Sequence, residues 1–274
     1  MTNISTLVQD IYKLAEGASA PLSSTEVKVD FAKWSKPRDK EREDKVLYFS
    51  EVGDPCVRRL WYKVNQKEVA EPVDGRSIVK FFYGDMLEEL VLRAAQAAGH
   101  EVCDEQKQTI YDVGNGWVVR GRIDAVIDGV VVDVKSVTKF SEEKFKNGLK
   151  DDPFGYYSQL NGYASSMSAG SAGFLTIQKE LGHINFYPIT VDKGHFQHQA
   201  EAATEVVSLA DPNTLPVIPP VPQSKTSKNM KLSTSCSYCA YKKQCFPTLR
   251  TFLYSDGPVY LTHVEDVPRV MEVV

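Results

Sequence analysis

The chain has 274 residues, of which 42% are hydrophobic and 25% charged, and its net charge is −4. These values are typical of a soluble globular protein with a sizeable core, built as one large domain or as one domain with an appendage. The N-terminus lacks an apolar signal region and no stretch approaches 18 continuous apolar residues, so we expect neither secretion nor membrane spanning. A cytoplasmic protein follows, in which disulfides are rare. The small net charge gives no overall indication of nucleic-acid binding.

The first hundred residues predict two longer helices, with a polar segment and then a short helix within residues 50–62 between them. Residues 1–46 are expected to form an N-terminal helix, over 4–16, followed by an exposed or partly disordered arm. A longer helix is predicted over 78–98. Its first turns contain Glu88 and Glu89, which leave two interpretations open: a solvated helix face, or a third carboxylate for a functional site.

The middle of the chain predicts a mixed sheet with helices. Strands are expected near 107–112, 117–127, 130–137, 172–179 and 184–191. Helices are expected near 141–149, 154–167 and 193–209. A meander of strands followed by a helical crossover indicates an α/β sandwich built on a mixed sheet.

One predicted hairpin in this region concentrates charge. Asp128 and Gly129 lie between two apolar, β-branched runs, which is the strongest short-range signal for a two-residue turn. Counting outward from that turn places Asp124 opposite Asp133, where like charges destabilise a strand pair. Lys135 projects from the same face as Asp133. The apolar flanks indicate a buried strand, so we favour a divalent metal between the carboxylates over a solvated charged face.

The last quarter of the chain divides by composition. Residues 211–222 are rich in proline and are expected to be a connection. Residues 223–250 contain six Lys or Arg and no Asp or Glu, which fits either a phosphate contact or a solvated linker. Residues 251–274 are expected to form a C-terminal tail.

Five cysteines in a chain expected to be cytoplasmic point to a metal centre. Cys236, Cys239 and Cys245 follow a C-x2-C-x5-C pattern that places three thiolates within reach of one centre. Cys56 is favoured as the fourth ligand because its segment is short and has polar flanks, whereas Cys103 is expected to be a small buried hydrophobe. Four unevenly spaced thiolates favour an iron–sulfur cluster over zinc, with unliganded thiols as a third interpretation.

The order of these motifs resembles the RecB-like branch of the PD-(D/E)xK nucleases. It is most similar to the iron–sulfur exonucleases of that branch, which include the CRISPR-associated four-cysteine enzymes and their phage-encoded relatives. The resemblance implies a restriction-endonuclease-like core over residues 47–210, with a mixed central sheet flanked by helices. It is carried, in chain order, by Cys56-x-Arg58-Arg59-Leu60-Trp61-Tyr62, Gly84 with Glu88 and Glu89, Asp124, Asp133-Val134-Lys135, Gln159 with Tyr163, and the three clustered cysteines.

The resemblance also implies roles for individual residues. Asp124, Asp133 and Lys135 would form the catalytic core with Mg²⁺ or Mn²⁺, and Gln159 and Tyr163, four apart on one helix face, would support the site and the substrate.

Two metal assignments complete the resemblance. Glu88 stands where many relatives have a histidine, so the sequence leaves open whether it joins Asp124 and Asp133 as a metal ligand and whether one or two ions are held. A [4Fe–4S] cluster joining the N- and C-terminal segments is implied at Cys56, Cys236, Cys239 and Cys245.

The expected function is therefore a metal-dependent DNA exonuclease that hydrolyses phosphodiester bonds in single-stranded DNA or at DNA ends. The setting would be a bacterial, archaeal or phage-infected cell, with DNA as the partner and with proteins of recombination, replication or CRISPR adaptation as further partners. Two alternatives are an endonuclease of the same superfamily and a non-catalytic DNA-binding or assembly protein with a structural metal centre.

Overall fold

The computed structural model of the chain describes residues 3–18, 26–27 and 42–273. The described helices are α1 (Leu7–Ala15), α2 (Val57–Asn65), α3 (Gly75–Ala97), α4 (Lys139–Lys146), α5 (Tyr156–Ser166), α6 (Lys193–Val207), α7 (Thr234–Ser237) and α8 (Lys242–Cys245). The described strands are β1 (Val46–Tyr48), β2 (Val102–Cys103), β3 (Gln108–Gly114), β4 (Trp117–Arg122), β5 (Ala125–Ile127), β6 (Val130–Val137), β7 (Ala172–Gln178), β8 (Ile184–Ile189), β9 (Val221–Pro222), β10 (Met230–Lys231), β11 (Arg250–Tyr254), β12 (Gly257–His263) and β13 (Met271–Val273).

The chain divides into two compact units. The first unit comprises residues 1–53 and 74–202, and the second comprises residues 54–73 and 203–274. Most of the arm predicted within residues 18–46 lies outside the described residues. None of the described helices has the length and apolarity needed to cross a membrane.

A five-stranded sheet forms the centre of the first unit. Its order is β2-β5-β6-β7-β8, with β6 parallel to β7 and the other neighbours antiparallel. The parallel pair requires a crossover, which α4 and α5 supply between β6 and β7. The structure therefore confirms the predicted mixed α/β architecture.

Helices cover both faces of this sheet. On one face, Leu7 of α1 and Leu92 of α3 belong to the buried apolar cluster that contains Val132 and Val134 of β6. On the other face, Phe145 of α4 packs edge-on against a phenylalanine of β7 at 5.2 Å between ring centroids. Because side chains alternate along a strand, Asp133, which lies between those two valines, points away from the layer formed by α1 and α3.

The strand predicted over 117–127 is two strands in two different sheets. β4 pairs with β1 and β3 in a three-stranded sheet, whereas β5 belongs to the five-stranded sheet. The interruption falls at Ile123 and Asp124, whose backbone groups bond to the segment before β3: the Ile123 amide donates to Lys107, and Asp124 accepts from the Gln106 amide. These bonds, rather than a continued ladder, set the position of Asp124.

The second unit has its own sheet and core. Its sheet has the order β13-β11-β12-β10-β9, and Trp61, Tyr62 and Tyr241 belong to its buried cluster. Where the sequence predicts a tail over 251–274, the structure has three antiparallel strands within residues 250–273. The connection predicted over 211–222 contains a 3-10 turn and the short strand β9.

Candidate active site

The hairpin between β5 and β6 brings together the charged residues that the sequence indicated. Asp128 and Gly129 form its turn with φ of 49° and 80°, the left-handed conformations that a tight two-residue turn requires. The strand register is the one counted outward from that turn. Because β5 begins at Ala125, however, Asp124 lies one residue outside the ladder and is not paired with Asp133 as a strand partner.

The Asp124 side chain is nevertheless fixed against β6. Its Oδ2 accepts a hydrogen bond from the backbone N–H of Val134 at 2.7 Å. Burial raises the pKa of Asp124 well above its usual value, and the carboxylates of Asp133 and Glu88 raise it further. A carboxyl group held in this way gains ionic character if a cation enters the site.

Asp133 and Lys135 share the face of β6 that points away from the layer formed by α1 and α3. The side chain of Asp133 is only 2% exposed, and its Oδ2 forms an ion pair with the Lys135 ammonium. Burial lowers the pKa of Lys135, but Asp133 and Asp124 outweigh that effect, so the net shift is upward. Lys135 is therefore a cation in this arrangement and not a general base.

Helix α3 contributes a further carboxylate. Glu88 Oε1 accepts a hydrogen bond from Gln106 Nε2 at 2.7 Å, and burial together with the Asp133 carboxylate raises the pKa of Glu88. Its neighbour Glu89 instead pairs with Arg93 at 3.2 Å on the same helix. Glu88 is therefore close enough to Asp133 for the two carboxylates to repel, whereas Glu89 forms an ion pair along the helix.

Helix α5 presents two polar side chains near these charges. Gln159 Nε2 donates to Tyr163 Oη at 3.2 Å, as expected for residues four apart on one helix. Burial, followed by the charge of Asp133, raises the pKa of Tyr163 to about 12. Tyr163 is therefore a neutral phenol whose ring packs on Phe49 at 4.8 Å.

Two residues of the site were not identified from the sequence. The Lys135 ammonium lies 5.0 Å from the ring centroid of Tyr156, a cation–π distance. Tyr156 precedes Gln159 by three residues and Tyr163 by seven, so helical spacing could have placed it on the same face. Gln106 lies in a connection without periodicity, and no sequence signal pointed to it.

A small cavity in the second unit collects cysteine side chains. It is lined by Cys56, Cys236, Cys239 and Cys245, of which the first three are buried and the last is half-buried. Burial raises the pKa of Cys56 and raises that of Cys239 to about 11. The thiols of Cys56 and Cys239 are therefore protonated unless a cation stabilises their thiolates.

Cys103 differs from the expectation. It is exposed rather than buried, because it lies on β2, a two-residue strand at the edge of its sheet. It is not among the residues that line the cysteine cavity.

The side chains of the carboxylate site fit Mg²⁺ or Mn²⁺, and those of the cysteine cavity fit an iron–sulfur cluster. Magnesium and manganese prefer oxygen ligands, and Mg²⁺ commonly uses one or two carboxylates, so Asp124 and Asp133 suffice with water and phosphate. Four thiolates are the usual ligands of an iron–sulfur cluster. Within residues 3–18, 26–27 and 42–273, no three Asp, Glu, His or Cys side chains converge on one point to hold a single ion.

The basic segment 223–250 is less cationic in the fold than its sequence suggests. Four of its six cations pair with acidic side chains from outside the segment. The pairs are Lys228 with Glu265, Lys242 and Lys243 with Glu71, and Arg250 with Glu272. This pairing weakens the interpretation of the segment as a phosphate-binding surface.

One family model matches the chain, and two solved structures are similar to it. A family model described as the PD-(D/E)XK nuclease superfamily matches residues 29–246. The protein SSO0001 is similar in structure, with a TM-score of 0.48 and 18% identity over 74% of this chain and 86% of that one. An alkaline exonuclease from Laribacter hongkongensis has a TM-score of 0.39 and 15% identity over 58% of this chain and 90% of its own. The search of curated proteins returned no match.

Proposed function

Because the chain belongs to the PD-(D/E)XK nuclease superfamily, we propose that it is a metal-dependent DNA exonuclease acting on single-stranded DNA or on DNA ends. The observation that carries this proposal is the grouping of Asp124, Asp133 and Glu88 with the Lys135 ammonium. Carboxylates of like charge in a buried site are costly without a counter-charge. A divalent cation would supply it.

Asp124 and Asp133 would hold Mg²⁺ or Mn²⁺, with Glu88 as a third ligand or as the ligand of a second ion. A divalent ion bound there would neutralise charge on the scissile phosphate and activate the attacking water. The amide of Val134 orients Asp124, and Gln106 orients Glu88. These contacts hold two of the three carboxylates before substrate arrives.

Lys135 supplies positive charge to the reaction. Its ammonium lies beside Asp133, where it would position the water or stabilise the negative charge that develops on the phosphate. Gln159 and Tyr163 would donate hydrogen bonds to substrate from α5. A phenol with a pKa near 12 keeps its proton at neutral pH and so remains available as a donor.

We further assign a [4Fe–4S] cluster to the cysteine cavity, with zinc as the alternative. The four thiols share one cavity, and four thiolates are the usual ligands of a [4Fe–4S] cluster. Such a cluster binds each thiolate through a different iron atom. The role of the centre is structural.

Cleavage of end-labelled DNA tests the nuclease assignment. Single- and double-stranded substrates with 5′ or 3′ labels are incubated with Mg²⁺, Mn²⁺ or EDTA. We expect metal-dependent release of label and a loss of at least about 100-fold in Asp133→Asn, the scale on which one lost transition-state contact lowers kcat. Closed circular DNA separates the two enzymatic alternatives, because only an endonuclease cuts it.

Two adjacent glutamates provide the control for the site. Glu88→Gln should weaken metal-dependent cleavage, whereas Glu89→Gln changes a residue of the same helix that pairs with Arg93 and should leave cleavage within about twofold of wild type. Metal-independent DNA binding without cleavage by folded protein would instead support a binding module. Equal activity of wild type and Asp133→Asn would refute the assigned site.

A further inference from the structure

Two arginines of α2 border the cysteine cavity. Arg58 and Arg59 both line it, and each is only 8% exposed. Guanidinium groups are rarely buried unless they are paired, because removing a charge from water is costly. The partners of each arginine therefore show which of the two charges is neutralised.

Arg59 is neutralised by a carboxylate. Its Nε and Nη2 donate to the two oxygens of Asp54, both at 2.6 Å, and its Nη1 donates to the backbone carbonyl of Ser235 at 3.0 Å. This two-pronged pair is the strong form of an arginine–carboxylate contact. Arg59 is thus accounted for by the fold of the second unit alone.

Arg58 has no comparable partner. Its Nη2 donates to the backbone carbonyls of Leu215 at 2.7 Å and of Asn213 at 3.4 Å, so among the described residues its hydrogen bonds go to neutral carbonyls and not to a carboxylate. Its buried Nε has no hydrogen-bond partner among the described residues, and the side chain lines the same cavity as the four thiols. The charge of Arg58 therefore lies at the thiol cavity with no described carboxylate paired to it.

We propose that Arg58 is the buried counter-charge of a metal–thiolate centre held by Cys56, Cys236, Cys239 and Cys245. Four thiolates around a dication carry net negative charge, whether the dication is zinc or an oxidised [4Fe–4S] core. One uncompensated guanidinium inside the cavity offsets part of that charge. Arg58 is in this sense a positioning residue, and the inference rests on the metal centre assigned under the proposed function.

Substitutions at position 58 can separate the charge of Arg58 from its hydrogen bonds. A lysine at position 58 keeps the charge but loses the planar fork, and a glutamine keeps hydrogen-bonding capacity but loses the charge. If Arg58 serves only to bond the Leu215 carbonyl, lysine and glutamine should behave alike. If its charge matters, Arg58→Lys should retain the metal and Arg58→Gln should not.

The experiment measures metal retention in the full chain purified without oxygen. Iron, sulfide and zinc are quantified per protein, and release into excess chelator is followed for wild type, Arg58→Lys, Arg58→Gln and the surface control Arg250→Gln. We expect release to be about 10- to 100-fold faster in Arg58→Gln, as for other outer contacts of metal ligands. Arg58→Lys and Arg250→Gln should stay close to wild type. If iron is present, Arg58→Gln should also lower the midpoint potential, because it removes positive charge near the cluster.

Wild-type release rates in folded Arg58→Gln would overturn the inference. Equally fast release from Arg58→Lys and Arg58→Gln would also overturn it. If Arg58→Gln does not fold, the test compares Arg58→Lys with wild type, and much faster release from Arg58→Lys would overturn the inference. If wild type and Cys239→Ala contained the same amount of metal, the four cysteines would bind none. That result would overturn both this inference and the cluster assignment. The nuclease proposal is scored separately by Asp133→Asn, whose site lies in the first unit.

Discussion

The ammonium of Lys135 lies beside the carboxylate of Asp133 and the ring of Tyr156. Substitution of Tyr156 tests what the ring contributes. A desolvated cation–π contact contributes on the order of 2 kcal/mol, and Tyr156 provides one to Lys135 at 5.0 Å. We expect Tyr156→Leu to lower kcat about tenfold with little change in KM, because the ammonium loses orientation rather than the substrate losing affinity. Tyr156→Phe keeps the ring and should remain within about twofold of wild type.

The neighbouring tyrosine serves as the control in this kinetic series. Tyr157 donates its hydroxyl to the Thr190 carbonyl and has its ring against His195, so Tyr157→Leu perturbs α5 without touching Lys135. Steady-state kinetics on single-stranded DNA compare the four proteins. Equal kcat values for Tyr156→Leu and Tyr157→Leu would show that the ring acts only through packing of the helix.

At the same scale, sequence reasoning identified the residues whose positions follow from periodicity. Asp133 and Lys135 lie on one strand face, and Gln159 and Tyr163 lie on one helix face. Periodicity alone could not decide whether Glu88 and Glu89 form a solvated helix face or supply a carboxylate to the site, because that depends on the rotation of α3 about its axis, which tertiary packing sets. Gln106 was missed because its position depends on a backbone bond between Gln106 and Asp124 that no local pattern encodes.

Among the elements, α5 depends on a glycine with no room for a side chain. A Cβ at Gly162 would lie 2.4 Å from Phe196 and 2.5 Å from Phe49, both fully buried. We expect Gly162→Ala to lower the free energy of unfolding by about 1–3 kcal/mol, the usual cost of overpacking, even though alanine favours the helix. Gly170→Ala places its Cβ in open space and should change stability by less than about 0.5 kcal/mol.

Urea denaturation of wild type and both glycine variants measures these differences, and DNA cleavage reports whether α5 has moved. Because Gln159 and Tyr163 lie on that helix, the overpacked variant should also lose activity at temperatures where it remains folded. A Gly162→Ala protein as stable as wild type would mean that Phe49 and Phe196 can shift apart without cost.

Most strands and helices of the first unit could be predicted from the chain, whereas the ends of the strands and their assignment to sheets could not. The run over 117–127 looks continuous because its side chains are suited to a strand throughout, yet bonds from the preceding segment break it at Ile123 and Asp124. In the second unit an Asp256–Gly257 pair also lies between apolar runs, although the turn there is formed by Ser255 and Asp256, because Gly257 pairs with Tyr254. That hairpin signal was present and was missed beside the more prominent cysteine motif.

At the scale of the whole molecule, the composition gives the number of charged residues but not which of them form ion pairs. Residues 223–250 look like a cationic surface in the sequence, yet three glutamates far along the chain pair with four of its six cations. The same long separation applies to the thiols. Cys56 lies 180 positions before Cys236, and a centre that binds both would close a long loop, which restricts the unfolded chain more than a short loop would.

This loop gives the centre a measurable role in stability. We expect Cys239→Ala to cost on the order of 3 kcal/mol, comparable to removing a cross-link around a long loop, and to lower hydrogen-exchange protection in residues 54–73 and 203–273. Residues 74–202 have a buried core of their own, so their protection should change less. Cys103→Ala, an exposed thiol on β2, is the matched control and should leave both ranges unchanged. If Cys239→Ala matched this control in thermal stability and in exchange, the thiols would be unliganded in solution, and packing around Trp61, Tyr62 and Tyr241 would hold the second unit together.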